Sequence, residues 1–379
     1  MPENSWSVPE STVLSHIRSV LESNRDGVLV TIVDVDGRAY KRPGAKMVIP
    51  EDGTGVGSVT AGCLEDEVLR LAESVLADQT PRLETFDLMS DDEVWGLGVG
   101  CNGVIKLLIE PLTDAYEPLL DAYESGNAIT SLTVLPTEST TVNDFQRMYY
   151  RPDDGFSTGS GPVPATVTDN LSQPASQFAA SGATETVEVD HNGETVPVFL
   201  DGITSPPTLV VVGTGHDVKP VIKIASKADF RTVVIGYRGA KATADRFTQA
   251  DTVVSTSPTD IREAVAIDEA TYFVVMTHNF IDDRLTINEL LATPTPYIGL
   301  MGPRERFEEM LEAKDGCVST AELDAVYTPI GLDLGGGSPY QIALSIVSEV
   351  LAVHNDRTPR HLRDREGPIH DRIDTDPLV

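Results

Sequence analysis

The sequence has few cysteines and no long apolar run. Its 379 residues include three cysteines, Cys63, Cys101 and Cys317, which are too few for a disulfide framework and lack the paired spacing of a zinc site. No apolar run has the length of a membrane span, and the first residues lack the basic and apolar regions of a secretory signal. We therefore expect a soluble, cytoplasmic protein with free thiols.

Basic residues are also scarce. The chain has 28 Lys and Arg, most of them Arg, against 59 Asp and Glu, and its formal net charge is −31. Such a surface stays hydrated in concentrated salt, which predicts a halophilic protein; an ordinary acidic protein is the alternative. Nucleic acid and anionic membranes are disfavoured as partners of this surface.

The second half begins with a strand, a glycine turn, a helix and another strand. A short apolar run over 208–212, typical of a strand covered on both faces, is followed by Gly213-Thr-Gly215-His-Asp and a helical apolar pattern over 218–228. Gly213 could make a tight exit from the strand, and Gly215 would let a phosphate approach the backbone at the helix start. Alternatively, the two glycines only pack the helix onto a sheet.

This turn departs from the full dinucleotide fingerprint. Val218 stands where a third glycine is expected, and Gly236-Tyr-Arg238, at the end of the next strand, offers no carboxylate for a ribose 2′-hydroxyl. Arg238 could instead contact a 2′-phosphate or a pterin phosphate.

Strands and helices continue to alternate, which predicts a right-handed parallel sheet with ligands at the carboxyl ends of its strands. His216 and His278 follow two of these strands, where a histidine could transfer a proton or only pack. Near the end, Ser338 is expected to cap the last helix, with Pro339 at its first position.

Two glycine-rich loops in the first half carry Cys63 and Cys101. The first leads directly into a predicted helix, whose N-terminus favours a thiolate, although the acidic residues after Cys63 oppose it. Each cysteine could be a small buried residue in a tight turn. Two such loops, with Arg42 and Lys46 flanking a nearby Pro-Gly corner, favour a shared site for a soft metal or sulfur species. Alone, that corner could be an anion clamp or a solvated loop.

The composition changes in the middle of the chain, which becomes rich in Ser, Thr, Pro, Gly and Asp. Alternating patterns there predict only short β-ribbons. We therefore expect an N-terminal α/β domain over 1–135, a bridging segment with β-ribbons over 136–206, a C-terminal Rossmann-like doubly wound parallel sheet over 207–355 and a disordered tail over 356–379.

Seven short motifs occur in order along the chain. They are Arg42-Pro-Gly-Ala-Lys-Met, Gly57-Ser-Val-Thr-Ala-Gly62-Cys63-Leu-Glu65, Gly98-Val-Gly100-Cys101-Asn-Gly103, Val212-Gly-Thr-Gly-His216, Val275-Met-Thr-His278, Tyr297-Ile-Gly-Leu-Met-Gly302-Pro-Arg304, and Thr328-Pro-Ile-Gly-Leu-Asp333 with Ile342-Ala-Leu-Ser-Ile346. Each motif alone is weak. Together they resemble the XdhC and CoxI family, the accessory proteins of xanthine dehydrogenase and related molybdenum hydroxylases.

The resemblance implies a protein that binds molybdenum cofactor, takes part in its sulfuration and passes it to an apo-hydroxylase. It further implies a cysteine desulfurase as a partner and a homodimer as the assembly. Asn102 and Gly236 depart from the family, which usually has Gly and Asp there. By this resemblance Cys63 and Cys101 hold molybdenum or its sulfido ligand, and the cofactor-binding candidates are Gly213, Gly215, His216, Arg238, Gly302, Arg304, Arg42, Gly62 and Gly100.

A carrier is favoured over a turnover enzyme because no catalytic triad or metal-hydrolase motif is evident. The alternative is an NAD(P)-dependent oxidoreductase in which His278 donates a proton and Gly213, Gly215 and Arg238 hold NADP. A third hypothesis is a scaffold that only docks a sulfurase and a hydroxylase.

Overall fold

The chain divides into two compact units, and the division falls between Ser205 and Pro206. The structure is a computed structural model that describes residues 5–37, 40–62, 64–87, 103–137, 142–161, 163–312 and 323–366. No helix within these ranges combines the length and apolarity that a membrane crossing needs.

The first sheet of the first unit is antiparallel, in the order β3-β2-β1-β5-β4. Its strands are β1 (Gly27–Gly37), β2 (Lys46–Pro50), β3 (Val56–Gly57), β4 (Arg82–Asp87) and β5 (Gly103–Pro111), and the helices of this region are α1 (Glu10–Glu22), α2 (Glu65–Asp78) and α3 (Glu117–Ser125).

Both faces of β1 are covered. Val28, Val30 and Ile32 pack against α2, whereas Leu29 packs with α1 and with residues of a second sheet. A strand that is buried on both sides carries a nearly continuous run of apolar residues. The apolar run of β1, in which Thr31 is the one buried polar residue, is therefore a consequence of its central place.

The second sheet of the first unit has the order β8-β7-β6-β10-β9 and is also antiparallel. Its strands are β6 (Ile129–Val134), β7 (Arg147–Arg151), β8 (Gly155–Thr158), β9 (Thr184–His191) and β10 (Glu194–Ile203), and α4 (Ala165–Ser181) packs on it. Residues 136–206, expected to be a bridging segment with short ribbons, thus supply most of this sheet and a helix. The structure places them within the first unit.

Helix α4 was not expected because its own sequence is a poor helix former. Ser and Thr make up five of its 17 residues, and Pro174 lies inside it. The helix is held by packing, since Val167, Leu171 and Phe178 are fully buried against the second sheet. Tertiary contacts here outweigh intrinsic propensity.

The second unit is built on a parallel sheet in the order β13-β12-β11-β14-β15-β16, which confirms the predicted doubly wound fold. The strands are β11 (Thr208–Val212), β12 (Arg231–Gly236), β13 (Thr252–Ser255), β14 (Thr271–Val275), β15 (Tyr297–Leu300) and β16 (Val326–Tyr327). The helices are α5 (Val218–Ala225), α6 (Ile261–Ala264), α7 (Phe280–Leu290), α8 (Arg304–Glu312) and α9 (Pro339–His354).

Helices cover both faces of the parallel sheet. Leu209 and Val211 of β11 share a core with α5 and α9, whereas Val210 and Val212 share the opposite core with α6, α7 and α8. The predicted cap of α9 is confirmed: Ser338 Oγ accepts a hydrogen bond from the Gln341 amide, and the Gln341 side chain accepts one from the Ser338 amide. The expected disordered tail falls in part on residues 367–379, outside the described residues.

Candidate functional site

The strand order of the second unit predicts a crevice between the two central strands of its parallel sheet, β11 and β14. The chain leaves β11 towards β12 on one side and leaves β14 towards β15 on the other, so the strand order reverses between them. In open α/β sheets, ligands bind at the carboxyl ends of the strands at such a reversal. The turns after β11 and β14 therefore border the candidate site.

The predicted role of Gly213 as a tight exit from β11 has a steric basis. A β-carbon at this position would lie 2.5 Å from the backbone oxygen of Met276, in the turn after β14. The Gly213 amide donates to the Ile235 oxygen at the end of β12. Glycine is thus required where three strand ends come together.

Gly215 is surrounded differently. The carboxylate of Asp217 lies in the space that a β-carbon on Gly215 would occupy. Asp217 Oδ2 is 2.7 Å from His278 Nε2, which comes from the turn after β14. The side chains of His278 and Asp217 are 55% and 32% exposed. Asp217 is not among the residues predicted from the sequence, although it directly follows His216, which is exposed.

Arg238 lies beyond the end of β12, as predicted, and its guanidinium is paired with an acid. Its Nη1 donates to Asp282 Oδ2 at 2.6 Å, in the first turn of α7. The side chain of Arg238 is 66% exposed and that of Asp282 is 12% exposed, so the cation can also contact an anion from the solvent side. Next to it, burial raises the pKa of the Tyr237 hydroxyl, which donates to or accepts from Thr286 Oγ1.

Gly302 lies in the turn after β15, and Arg304 and a second arginine, Arg306, lie in the first turn of α8. Arg304 begins α8 and is exposed, whereas Arg306 donates to Asp283 Oδ2 and lies 5.8 Å from the Phe280 ring. A β-carbon on Gly302 would lie 3.1 Å from the Arg306 side chain. Arg306 was not predicted, because sequence alone does not show which arginine of α8 turns towards the crevice.

Asp283 joins two of these turns. It is 1% exposed, and besides Arg306 it accepts hydrogen bonds from the backbone amide and the hydroxyl of Thr277. Thr277 precedes His278, so this buried carboxylate fixes the base of the turn that carries the histidine. A buried acid needs such partners, because an unpaired buried charge is costly.

The residues predicted in the first unit are only partly described. Arg42 is exposed, and Gly62 has a left-handed φ of 109° with open space beside it. Cys63, Gly100 and Cys101 lie outside the described residues. Within those residues, no group of three or more His, Cys, Asp or Glu is arranged to hold a metal.

Lys46 does not take part in an anion clamp with Arg42. Its Nζ is 2.8 Å from Glu10 Oε1 and 3.1 Å from Asp201 Oδ2, and its side chain is 4% exposed. Burial alone would lower the pKa of the Lys46 ammonium, but Asp201 and Glu10 raise it above its ordinary value. The Lys46 ammonium is thus paired with carboxylates within the first unit.

A cavity lies between the two sheets of the first unit, beside Lys46, Asp201, Glu110, Tyr116 and Arg147. The space open to the centre of a water molecule is about 20 Å³. One water needs about 10–15 Å³ on this measure, so the cavity is too small for a pterin.

Two family models match parts of the chain. Residues 20–87 match the family model described as the XdhC and CoxI family, and residues 209–350 match the one described as the XdhC Rossmann domain. The chain is also 30% identical over 339 residues to a protein of Bacillus subtilis (strain 168) named as a probable xanthine dehydrogenase subunit, and the match covers 88% of this chain and 94% of the relative. The chain belongs to the XdhC and CoxI family.

Two further relatives are similar to this XdhC-family chain. A crystal structure of a xanthine dehydrogenase from Bacillus halodurans superposes with a TM-score of 0.73 at 28% identity, covering 91% of this chain and 96% of the other. The molybdenum cofactor insertion chaperone PaoD of Escherichia coli (strain K12) is 26% identical over 247 residues, which are 59% of this chain and 73% of PaoD. The crevice residues named above all lie inside the XdhC Rossmann match, whereas Cys101 lies outside both family-model ranges.

Proposed function

We propose that this XdhC-family protein is an accessory factor that binds molybdenum cofactor as cargo and passes it to a hydroxylase of the xanthine dehydrogenase type. The observation that carries the proposal is the similarity to PaoD, a relative named as a molybdenum cofactor insertion chaperone. The similarity to a protein named as a xanthine dehydrogenase subunit supports the choice of client.

The crevice of the second unit supports the proposal because its groups suit a phosphorylated ligand. Gly213 and Gly215 lead into the N-terminus of α5, where backbone amides favour an anion. Arg238 and Arg304 are exposed cations beyond the ends of β12 and β15. In this proposal they contact the phosphate of the cargo, together with His216 and the turn at Gly302.

The cysteines enter the proposal through their chemistry. Thiolates are ligands that soft metals and sulfur species prefer, so Cys63 and Cys101 are proposed to hold molybdenum or its sulfido ligand, with Arg42, Gly62 and Gly100 nearby in sequence. Sulfuration with the help of a cysteine desulfurase, and a homodimeric assembly, belong to the same proposal.

A transfer assay tests the function. The full chain is loaded with molybdopterin-type cofactor, separated from free cofactor and mixed with an apo-hydroxylase, whose activity is then followed. We expect activation by the loaded protein, and less activation by Cys63→Ala and Cys101→Ala. Activation that equals that of free cofactor at the same concentration would argue against a carrier.

The purified full chain also distinguishes this function from the two alternatives, an oxidoreductase and a docking scaffold. An NAD(P)-dependent oxidoreductase would bind NADP or NAD and transfer hydride, which we do not expect because no acid follows β12 to hold a ribose 2′-hydroxyl. A side chain at position 236 would clash with its neighbours, because a β-carbon there would lie 2.6 Å from the side chains of both Thr214 and Ala242. A docking scaffold would leave both cysteine variants fully competent.

A further inference from the structure

The turn that would receive a phosphate already holds a negative charge of the chain itself. Glycine at position 215 leaves its side-chain face open, and in a phosphate-binding turn that opening lets the ligand approach the backbone. Here the carboxylate of Asp217 fills the opening. A phosphate and this carboxylate cannot occupy the same space, and their like charges repel each other.

A residue from the other side of the crevice holds the carboxylate there. His278 belongs to the turn after β14, and its Nε2 lies 2.7 Å from Asp217 Oδ2, so the imidazole donates to the carboxylate across the two turns. His278 has a left-handed φ of 59°, and Asn279, the next residue, caps α7 through Ile281 and Asp282. The histidine is thus presented by a turn with a defined backbone.

The Asp217 side chain can leave this position without loosening α5. Asp217 is the N-cap residue of α5, yet in the described part of the chain its side chain makes no capping hydrogen bond. It is 32% exposed, and among the described residues its carboxylate is held by His278. When it leaves, the imidazole is free to donate to another anion.

We propose that the Asp217–His278 contact closes the phosphate side of the crevice, and that a phosphate-bearing ligand binds only when it displaces the Asp217 carboxylate from Gly215. His278 then donates to the ligand phosphate in place of the carboxylate. This inference rests on the proposed function and names the residue that sets the affinity of its phosphate subsite. Asp217 thus blocks the phosphate subsite of its own chain. The affinity of the native chain for a phosphate-bearing ligand is therefore lower than that of the same turn without the carboxylate.

Replacement of Asp217 tests the inference. Asp217→Asn keeps the size of the side chain and an acceptor for His278 but removes the charge, and Asp217→Ala also empties the space beside Gly215. The matched control is Glu269→Gln, which removes an exposed carboxylate before β14, at the opposite edge of the sheet. All variants are compared as full chains, with circular dichroism to confirm an unchanged fold.

The probe is inorganic pyrophosphate, titrated by isothermal calorimetry at low ionic strength. We expect both Asp217 variants to bind it about tenfold more tightly than the native chain, equivalent to about 1.4 kcal/mol, and Glu269→Gln to bind it as the native chain does. Unchanged or weaker binding in both Asp217 variants would overturn the inference. So would the absence of detectable pyrophosphate binding in all of them, because the turn would then not be an anion site.

A parallel titration with molybdopterin separates this inference from the proposed function. Tighter pyrophosphate binding by the Asp217 variants, without molybdopterin binding by any form, supports the blocked subsite and contradicts the cargo. Molybdopterin binding that is equal in the native chain and in both Asp217 variants supports the cargo and contradicts the blocked subsite.

Discussion

The ion pair of Lys46 and Asp201 gives a quantitative test of how the first unit is built. β2 of the first sheet carries Lys46, and β10 of the second sheet carries Asp201, so the pair joins the two sheets. Lys46 Nζ is 3.1 Å from Asp201 Oδ2, and the two side chains are 4% and 7% exposed. The perturbation is Asp201→Asn, which keeps the size of the side chain and removes its charge.

The expected cost follows from the groups that stay. Removal of one partner of a buried ion pair costs about 3–5 kcal/mol, because the other charge is left buried without compensation. Lys46 keeps the Gly44 oxygen at 3.0 Å and Glu10 at 2.8 Å, and the Glu10 side chain is 52% exposed. We therefore expect Asp201→Asn to lower the free energy of unfolding of the first unit by about 3 kcal/mol, the lower end of this range.

Urea unfolding followed by tryptophan fluorescence measures this loss. The sequence has two tryptophans, Trp6 and Trp95, and Trp6 packs against the core of the first sheet. Asp121→Asn is the control, since it removes the same charge from a pair with Arg18 in which the carboxylate is 66% exposed. An exposed pair contributes about 0–1 kcal/mol.

Two results would refute the reasoning. One is a decrease in the free energy of unfolding for Asp201→Asn that is no larger than the decrease for Asp121→Asn. That result would mean that the Lys46–Asp201 pair is not buried or does not join the sheets. The other concerns the double variant with Lys46→Met, in which no buried charge is left unpaired. It should be more stable than Asp201→Asn alone, and a loss equal to the sum of the two single losses would contradict this.

Three further predictions concern the second unit. Asp283→Asn removes a carboxylate that is 1% exposed. Hydrogen bonds to charged groups contribute about 1.5–3 kcal/mol, so we expect the free energy of unfolding of the second unit to fall by about 2 kcal/mol. Unchanged hydrogen exchange in residues 271–312 would contradict this prediction. Gly213→Ala places a β-carbon 2.5 Å from a backbone oxygen and should destabilise the unit, whereas Gly337→Ala meets open space and should not; equal melting temperatures would refute this. Burial lowers the pKa of His354 from 6.5, so its contribution to stability is fully present above pH 6.5 and is lost as the pH falls through the folded-state pKa. His354→Gln should therefore flatten the decline of unfolding free energy below pH 6.5, and an unchanged pH profile would count against this role of His354.

The parallel sheet could be predicted from sequence because its strands are buried on both faces. Such strands are bare apolar runs, and the helices between them carry one apolar face each, so the two periods alternate clearly along the chain. The second sheet of the first unit gives no such signal. In β9 only Val187, Val189 and His191 are buried, and α4 depends on packing rather than on propensity.

The candidate site could be predicted at the level of its turns but not of its contacts. The glycine at 213 and the residues after β12, β14 and β15 lie at the carboxyl edge, as a parallel sheet requires. The pairing of His278 with Asp217, and of Arg306 with Asp283, depends on side-chain directions across separate turns. Residue spacing within one turn does not encode them.

The predictions about Cys63 and Cys101 stay predictions, because both residues lie outside the described ranges. The same holds for the halophilic character that the net charge of −31 predicts, which the salt dependence of unfolding would test. Neither expectation affects the geometry of the crevice.

The most direct test of the proposed function is an equilibrium titration of the full chain with molybdopterin. The account predicts saturable binding of roughly one cofactor per chain, lost in Gly213→Ala and retained in Gly337→Ala, because only the first substitution places a β-carbon against the backbone of Met276 and displaces the turns that border the site. Binding that does not saturate, or that is equal in both glycine variants, would contradict a cargo site at the carboxyl edge of the parallel sheet.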